Sequence, residues 1–229
     1  MTKLPFTVSA RTARLIGREN VAHAEGAVIE LVKNSYDADA DFAIVIINPA
    51  KKNIIIYDNG TGMSESDIKN HWMTIGTDNK EKIFRSDKGR VKAGAKGIGR
   101  FALDRLGQQC TMYTVPKGKK KGYKWSANWN DFETSGTQIG NVFAILEDIP
   151  DLSLVNLFKS ETVFSKAVSA LGKFTTKHGT LIKIENVRDD WSEEFSQKIF
   201  RSLEILTPPD GQAKFAIYFF NEQFKSNFG

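Results

Sequence analysis

The chain has 229 residues, 41% hydrophobic and 26% charged, with 32 basic against 27 acidic residues and a formal net charge of +5. That composition supports a packed core and excludes a disordered chain, a collagen and a small disulfide scaffold; the mild basic excess permits a polyanionic partner without requiring one. Cys110 is the one cysteine, which rules out a disulfide within the chain and a thiolate metal cluster and makes the cytoplasm the expected compartment.

Residues 9–18 (SARTARLIGR) predict a short basic helix. Residues 22–40 (AHAEGAVIELVKNSYDADA) predict a stronger one, rich in Ala, Glu, Val and Leu. Two β-branched runs, FAIVII at 42–47 and NIIIYD at 53–58, read as strands joined by a turn containing Pro49. The glycine turn DNGTGM follows at 58–63, and Ser64 with Asp67 gives an N-cap signal for a short helix over 64–72. Residues 73–97 are polar and glycine-bearing with weak periodicity, and read as a long mobile loop. IGRFALDRLG, 98–107, predicts a helix stopped at Gly107. Strands are expected near 108–115, 122–130 and 141–148, the first two joined by PKGKKKG. Residues 161–174 and 191–206 suit helices, while 178–187 and 214–220 suit strands. No apolar run reaches the length of a membrane span, so no membrane partner is expected. Helices mixed with an antiparallel-leaning sheet imply an α+β layered domain.

Four groups of residues could carry chemistry. Glu30, Asn34 and Asp37 stand at i, i+4 and i+7 of one helix, so they share a face over about 10 Å; alone, this is as readily a solvated polar stripe. Asp58-x-Gly60-x-Gly62-Met63 follows a strand directly, where glycines allow close backbone approach to a ligand and an ionised Asp can only accept hydrogen bonds; alone, it is an ordinary turn. Gly94-x-x-Gly97-x-Gly99, with Lys96 inside it, opens a helix and offers backbone N–H groups to an anion. Those glycines follow a polar loop rather than the first strand of a βαβ unit, so a Rossmann reading fails, and the Walker pattern is absent. Gly179-Thr180 opens a later strand, where the hydroxyl could support a ligand or cap a turn.

In order and spacing these pieces resemble the GHKL superfamily: the DNA gyrase B subunit, the ninety-kilodalton heat-shock chaperone, histidine kinases and the MutL mismatch-repair protein. ELVKNSYDADA matches the N box, DNGTGM the first glycine box, GAKGIGRFA the second and HGT the late threonine, over positions 30 to 180. The resemblance implies the Bergerat fold, an α+β two-layer sandwich whose mixed, mostly antiparallel sheet carries helices on one face. It also implies Mg-dependent ATP binding and hydrolysis. Glu30 matches the residue that activates the attacking water, and Asn34 the magnesium ligand. Asp37 matches a position that supports the pocket. Asp58 matches the residue that accepts from the adenine amine, with Thr180 assisting it, Gly60 in the same turn, and Gly62 and Met63 lining the base. Lys96, Gly97, Ile98 and Gly99 match the phosphate-holding positions.

The same resemblance implies an ATP lid at about 73–97, ATP-dependent homodimerisation and coupling to a partner domain. Residues 1–205 would form the ATP-binding domain, and 206–229 the start of a transducer-like domain or a C-terminal strand. Family ATPases receive a Lys or Arg against the γ-phosphate from such a second domain, so the chain is expected to be a piece of a longer protein that turns over slowly alone. Asp37-Ala38 points away from the kinase branch, and TIGTDNK (74–80) is reminiscent of the chaperone branch, although Arg100 departs from it. The alternative is an ATP-binding switch with little hydrolysis in a DNA-related or chaperone assembly. A nucleic-acid contact is conceivable at Lys117, Lys119, Lys120 and Lys121, with Tyr123, Trp125 and Trp129 nearby. Residues 80–105 hold nine Lys or Arg against three Asp or Glu, an excess expected to face the triphosphate.

Overall fold

The structure is a computed structural model that describes residues 3–4, 6–19, 21, 23–75, 85–92, 100–162, 165–206 and 215–224. Helices α1 (Ala10–Glu19) and α2 (Ala24–Asp37) come first, then strands β1 (Phe42–Asn48) and β2 (Asn53–Asp58). A short α3 (Glu65–Asp67) runs into a π-helical turn at Ile68–Trp72. Next come α4 (Phe101–Leu106), β3 (Gly107–Val115), β4 (Gly122–Asn128), β5 (Ile145–Ile149), α5 (Leu154–Glu161), α6 (Ser165–Leu171), β6 (Gly179–Val187), α7 (Glu193–Glu204) and β7 (Ala216–Asn221). The strands form one sheet in the order β5-β4-β3-β6-β2-β1-β7. Every pairing is antiparallel except β1 with β7. The mixed, mostly antiparallel α+β sheet anticipated from the sequence is therefore present.

Strand alternation sorts the core into two layers. Ala43, Val45 and Ile47 of β1, Ile54 and Ile56 of β2, Cys110 and Met112 of β3, and Ile182 and Ile184 of β6 pack under α2, α4 and α7. The opposite parity, including Phe42, Ile44, Ile46, Ile55, Tyr57 and Leu181, packs under Leu154 and Phe158 of α5 and Ala167, Ala170 and Leu171 of α6. Helices thus cover both faces rather than one. The physical reason is legible in β1 and β2, whose residues are buried throughout: a run of β-branched residues without polar alternation needs cover on both sides.

The N-cap expected at Ser64 forms, and as a full capping box: Asp67 N–H donates to Ser64 Oγ, and Asp67 Oδ2 accepts from Ser64 N–H at 2.9 Å. The helix it starts is shorter than expected and continues as the π turn. The helix expected over 161–174 lies instead as α5 and α6, and the strand expected from 141 begins at Ile145. Gly107 stops α4 in an extended conformation and opens β3 directly.

Helix α1 is fastened to α4 by a buried ionic cluster. Arg14 donates from Nε and Nη2 to the two oxygens of Asp104, both at 2.7 Å, and Arg188 Nη2 reaches Asp104 Oδ1 at 3.0 Å. Asp104 is fully buried, and Arg14 also pairs with Glu133. The Asp104 carboxylate beside it holds the Arg14 guanidinium above its ordinary pKa.

Candidate nucleotide site

Three neighbouring strands, β3, β6 and β2, end on the α2 side of the sheet in polar residues that continue an apolar stripe. Cys110 and Met112 lead to Thr114, Ile184 and Ile182 to Thr180, and Ile54 and Ile56 to Asp58. Asp58 faces Thr180 in the β2–β6 register, and Thr180 faces Thr114 across β6–β3. The two threonine hydroxyls lie 3.2 Å apart, and Thr114 Oγ1 donates to Gly179 O at 3.0 Å. Thr114 Oγ1 also accepts Met63 N–H at 2.9 Å, which brings the glycine turn onto the strand ends.

The Asp58 carboxylate is buried and held from three sides. Ser35 Oγ donates to Oδ2 at 3.0 Å, Gly60 N–H donates to Oδ1 at 2.8 Å, and the Thr180 backbone donates as well. Burial pushes its pKa up to about 6; the Gly60, Ser35 and Thr180 hydrogen bonds and the nearby His178 restrain the rise. Asn59, beside it, locks the turn to β1 by accepting Asp41 N–H at 2.8 Å and donating to Thr175 O at 2.9 Å. His178 Nδ1 lies 2.6 Å from Gly60 O.

Close packing explains two glycines. Gly179 has φ +134, and a Cβ there would stand 2.0 Å from Asp58 O. Gly62 has φ +65, and its Cβ would stand 2.1 Å from Val115 O. Side chains at either position would part the strand ends from the turn.

The structure thus gathers Asp58, Gly60, Gly62, Met63 and Thr180 into one cluster, and Ser35 joins that cluster to α2. Glu30 and Asn34 are half-buried one turn apart on α2, and Asp37 is buried at its end. Lys33 Nζ lies 3.1 Å from Glu30 Oε1. Lys96, Gly97, Ile98 and Gly99 lie outside the described residues. Among those described, no group of three or more His, Cys, Asp or Glu could hold a metal ion. Magnesium at Asn34 would therefore draw its other ligands from phosphate oxygens and water, which suits a small hard cation that keeps much of its hydration.

Sequence reasoning assigned no role to Ser35, Thr114, Asn59 or His178. Two of these carried a signal. Ser35 follows Leu31 on the buried stripe of α2, and Thr114 follows Met112 on the buried parity of β3. A hydroxyl on an apolar face must find a partner. Asn59 and His178 act through contacts distant in sequence, which no local pattern shows.

The basic excess at 80–105 is only partly available to a triphosphate. Lys88 Nζ pairs with Asp41 at 2.6 Å, and Arg105 with Asp189 at 2.6 Å. Arg90 Nη1 donates to Ala40 O at 2.7 Å and to Tyr36 O at 3.2 Å. Arg100 donates to His71 O at 3.1 Å, and burial lowers its pKa to about 10. Arg85 Nη1 also donates to Gly89 O at 3.3 Å, so five of the six cations of this segment among the described residues have protein partners. Of the segment expected to be a mobile loop, the described residues 85–92 are docked. Ser86 Oγ and Lys88 N–H donate to the Asp39 carboxylate at 2.5 and 3.1 Å.

The chain belongs to the histidine kinase-, DNA gyrase B-, and HSP90-like ATPase family, whose model it matches over residues 22–162, more than half of its length. Membership implies ATP binding. The chain is also 35% identical over 95 residues to a putative type II restriction enzyme, HgiDII, from Herpetosiphon aurantiacus; the match covers 42% of this chain and 15% of that protein. Among the described residues no helix is long and apolar enough to cross a membrane.

Proposed function

We propose that the chain is a Mg-dependent ATP-hydrolysing module whose ATP-bound state closes a lid at about 73–97, dimerises and acts on a partner domain. Residues 1–205 are its ATP-binding core, and 206–229 are the start of a transducer-like domain or a C-terminal strand, the latter favoured by the parallel pairing of β7 with β1. The observation that carries the reading is the buried Asp58 carboxylate, fixed by Ser35, Gly60 and Thr180 beside the helix bearing Glu30 and Asn34. An ionised carboxylate there accepts from the exocyclic amine of adenine, with Thr180 supporting it and Gly62 and Met63 against the base. Guanine presents an acceptor at that position, so two acceptors would face each other unpaired, and specificity for ATP follows.

Glu30 orients a water and takes its proton as the water oxygen attacks the γ-phosphorus; the bond to the ADP oxygen breaks and ADP leaves. Asn34 would hold the magnesium ion, which would supply charge neutralisation on the phosphates. Asp37, at the end of α2, supports the pocket, and Lys96, Gly97, Ile98 and Gly99 are assigned to the phosphates by their match to the family's second glycine box. Glu30→Ala tests the assignment. ATP binding should persist while single-turnover hydrolysis falls by about 10²–10⁴-fold, the range of general acid–base contributions. Unchanged hydrolysis would remove Glu30 from its role, and a parent chain that binds no ATP would remove the whole reading.

A second reading is an ATP-gated switch with little hydrolysis in a DNA-acting assembly. The likeness to a putative restriction enzyme favours the DNA-related setting over a chaperone one. Multiple-turnover kinetics of the parent chain separate switch from hydrolase.

A further inference from the structure

The turn between β3 and β4 is held by Lys119 N–H donating to Pro116 O at 3.0 Å. Gly118 takes φ +78 in open space at its third position, where this kind of turn requires a residue that tolerates positive φ. Lys117, Lys119, Lys120 and Lys121 are all exposed on it. Lys121 is neutralised: its Nζ lies 2.7 Å from Asp148 and 5.3 Å from the centroid of the Tyr123 ring. The side chains of Lys117, Lys119 and Lys120 make no ion pair or hydrogen bond among the described residues. Three neighbouring ammonium groups without a counter-charge repel one another and contribute nothing to this fold, a cost that a polyanion relieves.

The aromatic residues of the hairpin decide which polyanion. Trp125 and Trp129 are 4% and 3% exposed, and Tyr123 lies beneath Lys121. None is free to stack on a base, as single-strand recognition requires. Cations presented without aromatic platforms suit the phosphate backbone of a duplex. We propose that Lys117, Lys119 and Lys120 form a sequence-independent contact for the phosphate backbone of duplex DNA, coupled to the nucleotide site. The choice of DNA rests on the DNA-related reading above.

The coupling has a path. Lys117 N–H donates to Thr61 O at 2.8 Å, Val115 O sits against Gly62, and Thr114 holds Met63. The tip and the glycine turn are therefore joined by direct contacts, and coupling through them would by linkage change each ligand's affinity by the same factor.

Anisotropy of a short labelled DNA duplex, titrated with the 229-residue chain at several salt concentrations with and without a non-hydrolysable ATP analogue, tests this. Single-stranded DNA and duplex RNA are parallel arms, and ATP binding is measured on the same samples. Expected is a log–log salt slope of about −2.7 for three neutralised phosphates, and a DNA affinity that changes with nucleotide. Lys119→Gln should reduce the slope by about 1. Lys119→Glu with Lys120→Glu should abolish binding while ATP binding persists, and Lys159→Glu with Lys166→Glu should not. Unaltered affinity and slope in the tip variant overturn this surface and leave the DNA-related reading standing. A parent chain that ignores duplex DNA at low salt overturns both, while ATP binding in the same samples preserves the ATP-module reading. Preference for single strands or duplex RNA overturns the assigned partner, and indifference to nucleotide overturns the coupling.

Discussion

Ser35 Oγ donates to Asp58 Oδ2 at 3.0 Å and so ties the middle of α2 to the last residue of β2. Ser35 is 2% exposed, so the bond lies away from bulk water. Ser35→Ala should cost about 1.5–3 kcal/mol at neutral pH, the usual worth of a hydrogen bond to a charged group. Urea unfolding should show a smaller loss at about pH 4, where the carboxyl is protonated. Equal losses at both pH values would count against an ionised Asp58 as the acceptor.

The pH dependence of Asp58 itself follows from its raised pKa of about 6. An unfolded Asp titrates near 3.9, about two units lower. The protonated group therefore favours the fold fully below about pH 4, and that contribution is lost as pH rises through about 6. Asp58→Asn escapes the loss. Its stability relative to the parent should be higher at about pH 7.5 than at about pH 4, by on the order of 2–3 kcal/mol. The same substitution should abolish ATP binding, because an amide cannot replace the carboxylate against the adenine amine. Parental ATP affinity should fall about tenfold per unit below pH 6. A stability difference that does not vary with pH would contradict this account.

Two glycines of positive φ should respond differently to alanine. At Gly179 the added methyl meets Asp58 O at 2.0 Å, backbone that cannot withdraw without opening β2 from β6. Gly136, at φ +75, has open space around it. Gly179→Ala should cost about 3 kcal/mol or more and weaken nucleotide binding, whereas Gly136→Ala should cost about 1 kcal/mol. Thermal denaturation of the two variants separates steric exclusion from φ preference.

Arg90 closes the end of α2. It is 4% exposed, donates to two backbone carbonyls there, and lies 4.6 Å from the Tyr36 ring centroid and 5.6 Å from that of Phe215. Arg90→Ala should destabilise by about 2–4 kcal/mol by removing the donor to the Ala40 carbonyl and the stacked cation. Arg90→Lys should recover little, since an ammonium lacks the planar fork. Full rescue by lysine in chemical denaturation would show that charge alone matters.

Asp104 has no solvent exposure and holds Arg14 and Arg188 together. Asp104→Ala leaves both cations without their central carboxylate and should cost about 3–5 kcal/mol. Adding Arg14→Met should restore part of the loss, because the buried charge goes with its partner. A double-mutant cycle by urea unfolding measures the coupling; additivity would mean that the two residues do not act as a pair.

The local elements were legible because their determinants are local. The β-branched runs of β1 and β2, the capping box at Ser64 and Asp67, and the helix bearing Glu30, Asn34 and Asp37 follow from periodicity and propensity within a few residues. The glycines at 60, 62 and 179 were conspicuous by type. Ordered together, these features pointed to the ATPase family that the match over residues 22–162 establishes.

What the sequence by itself determined is therefore most of the elements, the α+β class and the family. The tertiary structure alone decided which residues meet. It placed β6 between β2 and β3, so that Asp58, Thr180 and Thr114 stand in a row. It set β7 parallel beside β1 and laid helices on the second face of the sheet. It also redirected Lys88, Arg90, Arg100 and Arg105 from an expected phosphate site to protein partners, whereas Lys117, Lys119 and Lys120 have no counter-charge among the described residues. Periodicity reports how one segment divides between core and solvent, but pairing between segments depends on complementary surfaces far apart in the chain. A charge's partner is settled only when the chain closes around it.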